Sequence, residues 1–188
     1  MATGPYQCAD PGSVSPVTSP SSALRSVIDP WYTAPTVPVL QRRRQALVDS
    51  LGDHSSLVLT GPPAVMPDDA PARVDHVVTI AWLAAADDLD AAIADLAARL
   101  GPDGWLHVVE PTRGSAATAR AQRLSAPAAR LRTGWHIGRD VPAAIRRCGL
   151  VVTDVERFSM PVSSTVLRPW VQARARHRAV ATDGEVTS

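Results

Sequence analysis

The chain has 188 residues, 45% of them hydrophobic, and its 19 basic side chains nearly balance 18 acidic ones. That length holds one domain with a core of its own, while no apolar run approaches the roughly 20 residues that cross a bilayer. Cys8 and Cys148 make neither a disulfide framework nor a metal-ligand spacing, and no basic stretch leads an apolar core as in a secretory signal, which implies a cytoplasmic protein without a membrane span.

Residues 1–23 are rich in Pro, Ser, Thr, Gly and Ala, with Pro5, Pro11, Pro16 and Pro20 spaced through them. Such a composition buries too little apolar area to offset its ordering entropy, which predicts a disordered tail ahead of an α/β domain over 24–176. Val37, Leu40, Leu47, Val48 and Leu51 fall on one helical face, with Pro38 in the first turn and Gly52 as the stop. Leu57-Val58-Leu59 reads as a short buried strand ended by Gly61-Pro62-Pro63, and 66–73 as a polar loop. Asp75 to Ile80 is a second strand, nearly continuous in apolar character, as a strand covered on both faces reads.

Leu89, Ile93, Leu96 and Leu100 then form an apolar stripe with spacings of four, three and four. Asp87 or Asp88 caps this helix and Gly101-Pro102 stops it. The turn Gly101–Gly104 leads into Trp105 to Val109, a third buried strand, so the segment is a parallel, right-handed βαβ unit. Residues 115–132 predict a helix with Leu124 and Leu131 inward and an interruption near Pro127. Asp140 as cap, Pro142 in the first turn and Gly149 as stop delimit another, carrying Ile145 and Cys148. A fourth strand over 150–158 and a fifth around 166–173 are expected to pair as an antiparallel hairpin, followed by a flexible tail over 177–188.

Three stretches resemble class I S-adenosylmethionine-dependent methyltransferases. Arg99-Leu100-Gly101-Pro102-Asp103-Gly104-Trp105-Leu106 is similar to their "R-x-L-x-P-G-G-x-L" junction and fifth strand, and Asp75-His76-Val77-Val78 to the start of their fourth. Gly134-Trp135-His136-Ile137-Gly138-Arg139-Asp140, with Cys148-Gly149-Leu150-Val151 after it, resembles a later segment of the small-molecule and lipid-type members. The resemblance covers roughly residues 36–176 and implies a Rossmann-like sheet of about five strands, mostly parallel, closed by an antiparallel C-terminal hairpin strand.

The departures bear on function. The family holds its cofactor with a glycine-rich turn after the first strand, where the backbone must approach the ligand and take positive φ. Here the only glycine near the first predicted strand is Gly61, followed by Pro62 and Pro63, which offer no amide donor. Fifteen residues separate Leu59 from Asp75, and each parallel crossover needs about a dozen plus its strand. Two of the family's strands are therefore expected to be missing: either Leu57–Leu59 is the first strand with the next two lost, or it is the third and the first has vanished. Both readings remove the glycine turn together with the acidic residue that holds the cofactor's ribose.

Four residues stand out as site candidates. Asp75 begins the second strand, where the family's carboxylate helps order the cofactor site; a strand-end residue bonded to local backbone is the favoured reading. Trp82 follows the C-terminal end of that strand, where open α/β sheets place ligands, although core or rim packing is favoured for it. Glu110, at the end of the next strand, is placed to orient an acceptor or act as a base, against an ion pair with one of the arginines. His136, in a Gly-flanked loop beside Arg139 and Asp140, is the histidine best placed for chemistry; a catalytic and a purely structural role both stand. His107 has no second histidine or carboxylate at ligand spacing, so no metal is expected.

Charge is unevenly spread. From Asp53 to Glu110 ten acidic residues face only Arg73 and Arg99, while Arg113 to Arg178 holds thirteen arginines against Asp140, Asp154 and Glu156. Arg120, Arg123, Arg130 and Arg132 form a basic face without interleaved aromatic residues, so nucleic-acid binding is not favoured. Taken together, these features imply a methyltransferase-like protein without independent S-adenosylmethionine-dependent catalysis: a partner or binding subunit, or a relic, holding no cofactor itself. An open sheet edge left by the lost strands implies homo- or hetero-association. The alternative is an active methyltransferase on a small or lipid-like acceptor, with S-adenosylmethionine contacts rebuilt from other residues or supplied by a partner chain.

Overall fold

The computed structural model describes residues 36–61 and 64–178; the expected N-terminal tail and residues 179–188 of the C-terminal one lie outside the described residues. In chain order come α1 (Thr36–Leu51), β1 (Ser56–Thr60), β2 (Val74–Ile80), α2 (Leu89–Arg99), β3 (Leu100–Pro111), α3 (Ala116–Thr133), α4 (Val141–Arg147), β4 (Leu150–Ser159) and β5 (Pro169–His177), with a 3-10 turn at Thr165–Leu167 before the last strand. Helix starts follow from capping chemistry. Asp88 accepts from the Ala91 amide at 3.0 Å, Ser115 from Thr118 at 3.4 Å and Asp140 from Ala143 at 3.2 Å. Each takes up a donor that the first helical turn leaves free.

The sheet order is β1-β2-β3-β5-β4. β1, β2 and β3 pair in parallel, and β5 lies antiparallel between β3 and β4. In a doubly wound sheet the first strand lies beside the fourth. β2 is the stretch that resembles the fourth strand, and β1 pairs directly with it, which assigns β1 to the first-strand position. Among the described residues no strand lies outside β1.

Two apolar layers cover the sheet. Val77, Leu106, Val108, Val171, Ala173 and Ala175 turn to one face and pack on Ile93 and Leu96 of α2 and Ala144 and Ile145 of α4. Val78, Ile80, Val109 and Trp170 turn to the other and meet Leu47 and Leu51 of α1, Trp135, Ile137 and Leu167. This second face changes character along its length. Beyond its apolar half stand His76, His107 and Trp105, with the guanidinium of Arg174 4.2 Å and that of Arg176 5.0 Å from the Trp105 ring centre.

Three sequence expectations change. The turn Gly101–Gly104 is not a separate connector but a bulge inside β3: the register jumps from Val74↔Leu100 to His76↔Trp105. A Cβ on Gly104 would stand 2.9 Å from the Gly101 nitrogen and 3.1 Å from the Asp75 carbonyl oxygen, so only glycine fits. The fifth strand begins at Pro169 rather than near 166 and runs on to His177, because Val166 and Leu167 belong to the 3-10 turn that plugs the second apolar layer.

The third concerns α3. It runs unbroken through Pro127, and Leu124 and Leu131 point outward at 81% and 88% exposure. Its inward stripe is Gln122, Ala126, Ala129 and Thr133, again spaced four, three and four. Gln122, 1% exposed, donates from Nε2 to the Thr112 and Val166 carbonyls, each at 3.0 Å, and accepts from the Gly114 amide at 3.1 Å. Polar satisfaction, not apolar burial, chose the face. Replacing Gln122 by Leu leaves one buried and two half-buried polar groups without this partner and is expected to cost about 2–4 kcal/mol. The double change Leu124→Ala/Leu131→Ala is expected to stay within about 0.5 kcal/mol of the parent; urea denaturation of both variants measures the contrast.

Candidate functional site

The parallel strands end level with one another, Thr60 beside Ile80 and Ile80 beside Val109. At the end of β1, Gly61 takes φ +55 and donates its amide to the Ile80 carbonyl at 2.9 Å. Ala81, at the end of β2, has φ 56 and is the single non-glycine residue with positive φ among those described. A left-handed alanine costs energy that its surroundings must supply. They do so with the Ala81 amide donated to the Val109 carbonyl at 3.0 Å and with a carboxyl group behind the turn.

That group is Glu110, fully buried at the end of β3. Its Oε1 accepts from the amides of Trp82 and Leu83, both at 3.0 Å, and its Oε2 from Ala84 at 3.1 Å. The expected arginine partner is not there; backbone amides take that role. Burial pushes the carboxyl up from 4.5 to about 7, against the opposing pull of these donors. Each amide would cost about 1–3 kcal/mol if left unpaired in the interior, so this side chain braces the turn from within.

The turn and the residues after it are gripped from a second side. The His136 amide donates to the Ala84 carbonyl at 2.7 Å. Arg139 donates to the carbonyls of Ala86 at 2.6 Å and Asp87 at 2.9 Å. The Asp87 carboxylate lies 2.5 Å from the Arg130 guanidinium and 3.2 Å from His136 Nε2. These contacts, the His136 hydrogen bond foremost, hold Asp87 below the usual carboxylate range. Burial lowers His136 despite the pull of Asp87.

Three of the four sequence candidates thus converge on the turn after β2, and one does not. Trp82 is 4% exposed, in the cluster that holds Leu57, Leu59 and Leu83. Glu110 braces the turn from within and His136 borders it. Asp75 sits at the opposite end of β2, where it accepts from the Ser55 hydroxyl at 2.7 Å and the Ser55 amide at 3.1 Å. Those two bonds hold it below its ordinary value.

His107 does have a histidine neighbour, contrary to expectation: His76 Nδ1 lies 3.2 Å from its Nε2, because neighbouring parallel strands place the two rings diagonally on one face. Burial brings His107 down to about 4. Among the described residues no group of three or more His, Cys, Asp or Glu side chains is arranged to hold a metal ion. Sequence reasoning missed Gln122, Ala81 and the anchoring role of Arg139. For Gln122 the four-three-four spacing of small residues was an available signal.

Beside the closed strand tips two clefts open. One of about 660 Å³ lies between the start of α3 and the sheet end where β4 finishes and β5 begins. The other, about 540 Å³, runs between the starts of α2 and α4 and shares Arg113 and Asp140 with the first.

No protein-family model matches the chain, and no curated protein matches it in sequence. Solved structures do match in fold. The N-methyltransferase NodS of Bradyrhizobium japonicum, in complex with S-adenosyl-L-homocysteine, is 18% identical with a TM-score of 0.53, over 84% of this chain and 97% of its own. A SAM-dependent methyltransferase of Thermotoga maritima is 13% identical with a TM-score of 0.52, over 74% of this chain and 89% of its own. The fold is that of the class I SAM-dependent methyltransferases. Within this methyltransferase fold, Glu110 and the Ala81–Ala86 turn occupy the C-terminal edge of the parallel strands, where open α/β sheets receive ligands.

The buried carboxyl makes stability depend on pH in a definite direction. Folding raises Glu110 from 4.5 to about 7 and so disfavours its ionised form. Its contribution is complete below about pH 4.5 and is lost as pH rises through about 7, by on the order of 3 kcal/mol. Urea melts between pH 4 and 8 on the parent and on Glu110→Gln read this directly. The variant is expected to be less stable at low pH, since its NH2 meets an amide donor, and to lack the parent's decline through that window.

Proposed function

We propose that this methyltransferase-fold protein does not hold S-adenosylmethionine by itself and acts as a binding or partner subunit. The observation that carries this reading is the closed tip of the parallel strands. A cofactor resting there needs open space and free backbone donors. Ala81 to Ala86 are all buried, and the amides of Trp82, Leu83 and Ala84 are bonded inward to Glu110.

The described residues do not fit the group in other respects. Gly61 is followed in sequence by two prolines, which have no amide to donate. Among the described residues no strand lies outside β1 to bring a carboxylate to the ribose hydroxyls. Glu110 has a proton affinity suited to a general base near neutral pH, yet it has no exposed surface and both its oxygens face the protein's own amides. A base must reach the proton it takes. His136 shares its Nε2 with Asp87, and through its amide bonded to the Ala84 carbonyl it supports the turn rather than a reacting atom.

Isothermal titration of S-adenosylmethionine into the full chain tests the reading. No saturable heat is expected up to about 1 mM ligand, the regime of roughly −4 kcal/mol. Binding in the micromolar range by the isolated chain would overturn it. Binding that emerges only when a second protein is added would move the reading to an enzyme with partner-supplied contacts.

A further inference from the structure

The larger cleft is lined by an excess of positive charge. Arg113 comes from the loop after β3, Arg157 from the end of β4 and Arg168 from the residue before β5, and all three line it. Arg168 uses its Nε to donate to the Val162 carbonyl at 3.0 Å, which fixes the base of its guanidinium. The one carboxylate in the lining, Asp140, accepts from the Ala143 amide as a helix cap. Glu156, the neighbour of Arg157 in sequence, is taken by Arg43 at 2.8 Å. Across the second cleft Asp87 and Asp90 are committed to Arg130 and Arg147, and Asp88 accepts from the Ala91 amide as the cap of α2. Three arginines against one carboxylate leave the lining with two positive charges in excess.

The frame around this space is closely packed where the loop carrying Arg113 enters it. The 18-residue helix α3 begins there, with Ser115 and Thr118 in the wall and the positive end of its dipole toward the cleft. A Cβ on Gly114 would stand 2.7 Å from Thr118 and 2.9 Å from Pro169, so the loop carrying Arg113 is pressed against both and held by Gln122. Phe158 adds an apolar wall. The site is therefore cationic and partly apolar, and it is suited to a doubly charged oxyanion attached to a small apolar or planar body. A sulfonium such as that of S-adenosylmethionine is repelled by the same charges.

We infer that the cleft bounded by Arg113, Arg157 and Arg168 is a binding site for a small phosphomonoester-like anion. Guanidinium groups recognise a phosphate in bidentate fashion, and two uncompensated charges match its dianion. The inference does not depend on whether the chain holds a cofactor, since the cleft lies beside the strand tips and shares none of the amides bonded to Glu110.

The test titrates phenyl phosphate, inorganic phosphate, benzoate and phenol into the full chain at low salt and neutral pH, followed by amide chemical shifts. Phenyl phosphate is expected to bind saturably and more tightly than inorganic phosphate or benzoate, and phenol not to bind. Arg113→Gln/Arg157→Gln is expected to weaken phenyl phosphate by about tenfold or more, with an unchanged circular dichroism spectrum showing that it is folded. Arg120→Gln, which removes an arginine of α3 outside the cleft lining, is expected to leave binding unchanged. No saturable shift at concentrations of tens of millimolar, roughly the weakest binding such contacts give, overturns the inference. So does equal weakening by Arg120→Gln, which would mean diffuse attraction. A parallel S-adenosylmethionine titration keeps the two questions apart, because either result there leaves the phosphate outcome standing.

Discussion

A carboxyl group bonded to three amides of another strand's turn organises one whole edge of this molecule. Glu110 belongs to β3, but its oxygens set the path of the chain leaving β2. That path presents the Ala84, Ala86 and Asp87 carbonyls to His136 and Arg139. Arg139 in turn offers its own carbonyl to the Arg113 amide at 2.9 Å and the Thr112 hydroxyl at 3.1 Å. The position of Arg113, and with it one wall of the larger cleft, is thus relayed from a buried acid through two loops. Inside the protein, where an unpaired amide is costly, such a relay is stiff.

The same arrangement explains how a shortened methyltransferase fold remains coherent. With no strand outside β1 among the described residues, the ends of β1 and β2 would lie open above the core. Trp82 packs there with the leucines of β1, and the amides of Trp82, Leu83 and Ala84 face Glu110. The larger cleft lies on the other side of β3, where arginines and a helix start surround it. Binding capacity in this fold depends on which backbone donors are left unspent and which side chains gather beside them, not on strand order alone.

Much of the scaffold was legible in the sequence because it rests on local chemistry. Asp88, Asp140 and Gly149 mark helix ends by capping and stop signals that need no tertiary partner. The stripe through Ile93 and Leu96 follows from helical period alone. The misread parts depend on distant partners. Leu124 and Leu131 looked inward by hydrophobicity, yet Gln122 decided the face by reaching the Thr112 and Val166 carbonyls, ten and forty-four residues away. Glu110 was visible as an edge carboxylate, but its three amides lie 26 to 28 residues earlier in the chain. Only the register of β2 against β3 brings them together. The Gly101–Gly104 bulge and the late start of β5 were hidden likewise, since pairing register is a property of two strands and not of one.

The place of β5 has a consequence for how the molecule is assembled. It is the last strand of the sheet to leave the ribosome, yet it lies between β3 and β4 and bonds to both. Until Pro169–His177 has emerged, β4 has no neighbour in the sheet and the β1–β3 block exposes the backbone edge that β5 will cover. Closure must therefore wait for β5, and a nascent chain stalled before that point leaves the edge of β3 and both edges of β4 unpaired. The sheet is completed by insertion between two strands already made, which makes the nine residues of β5 the keystone rather than the trim.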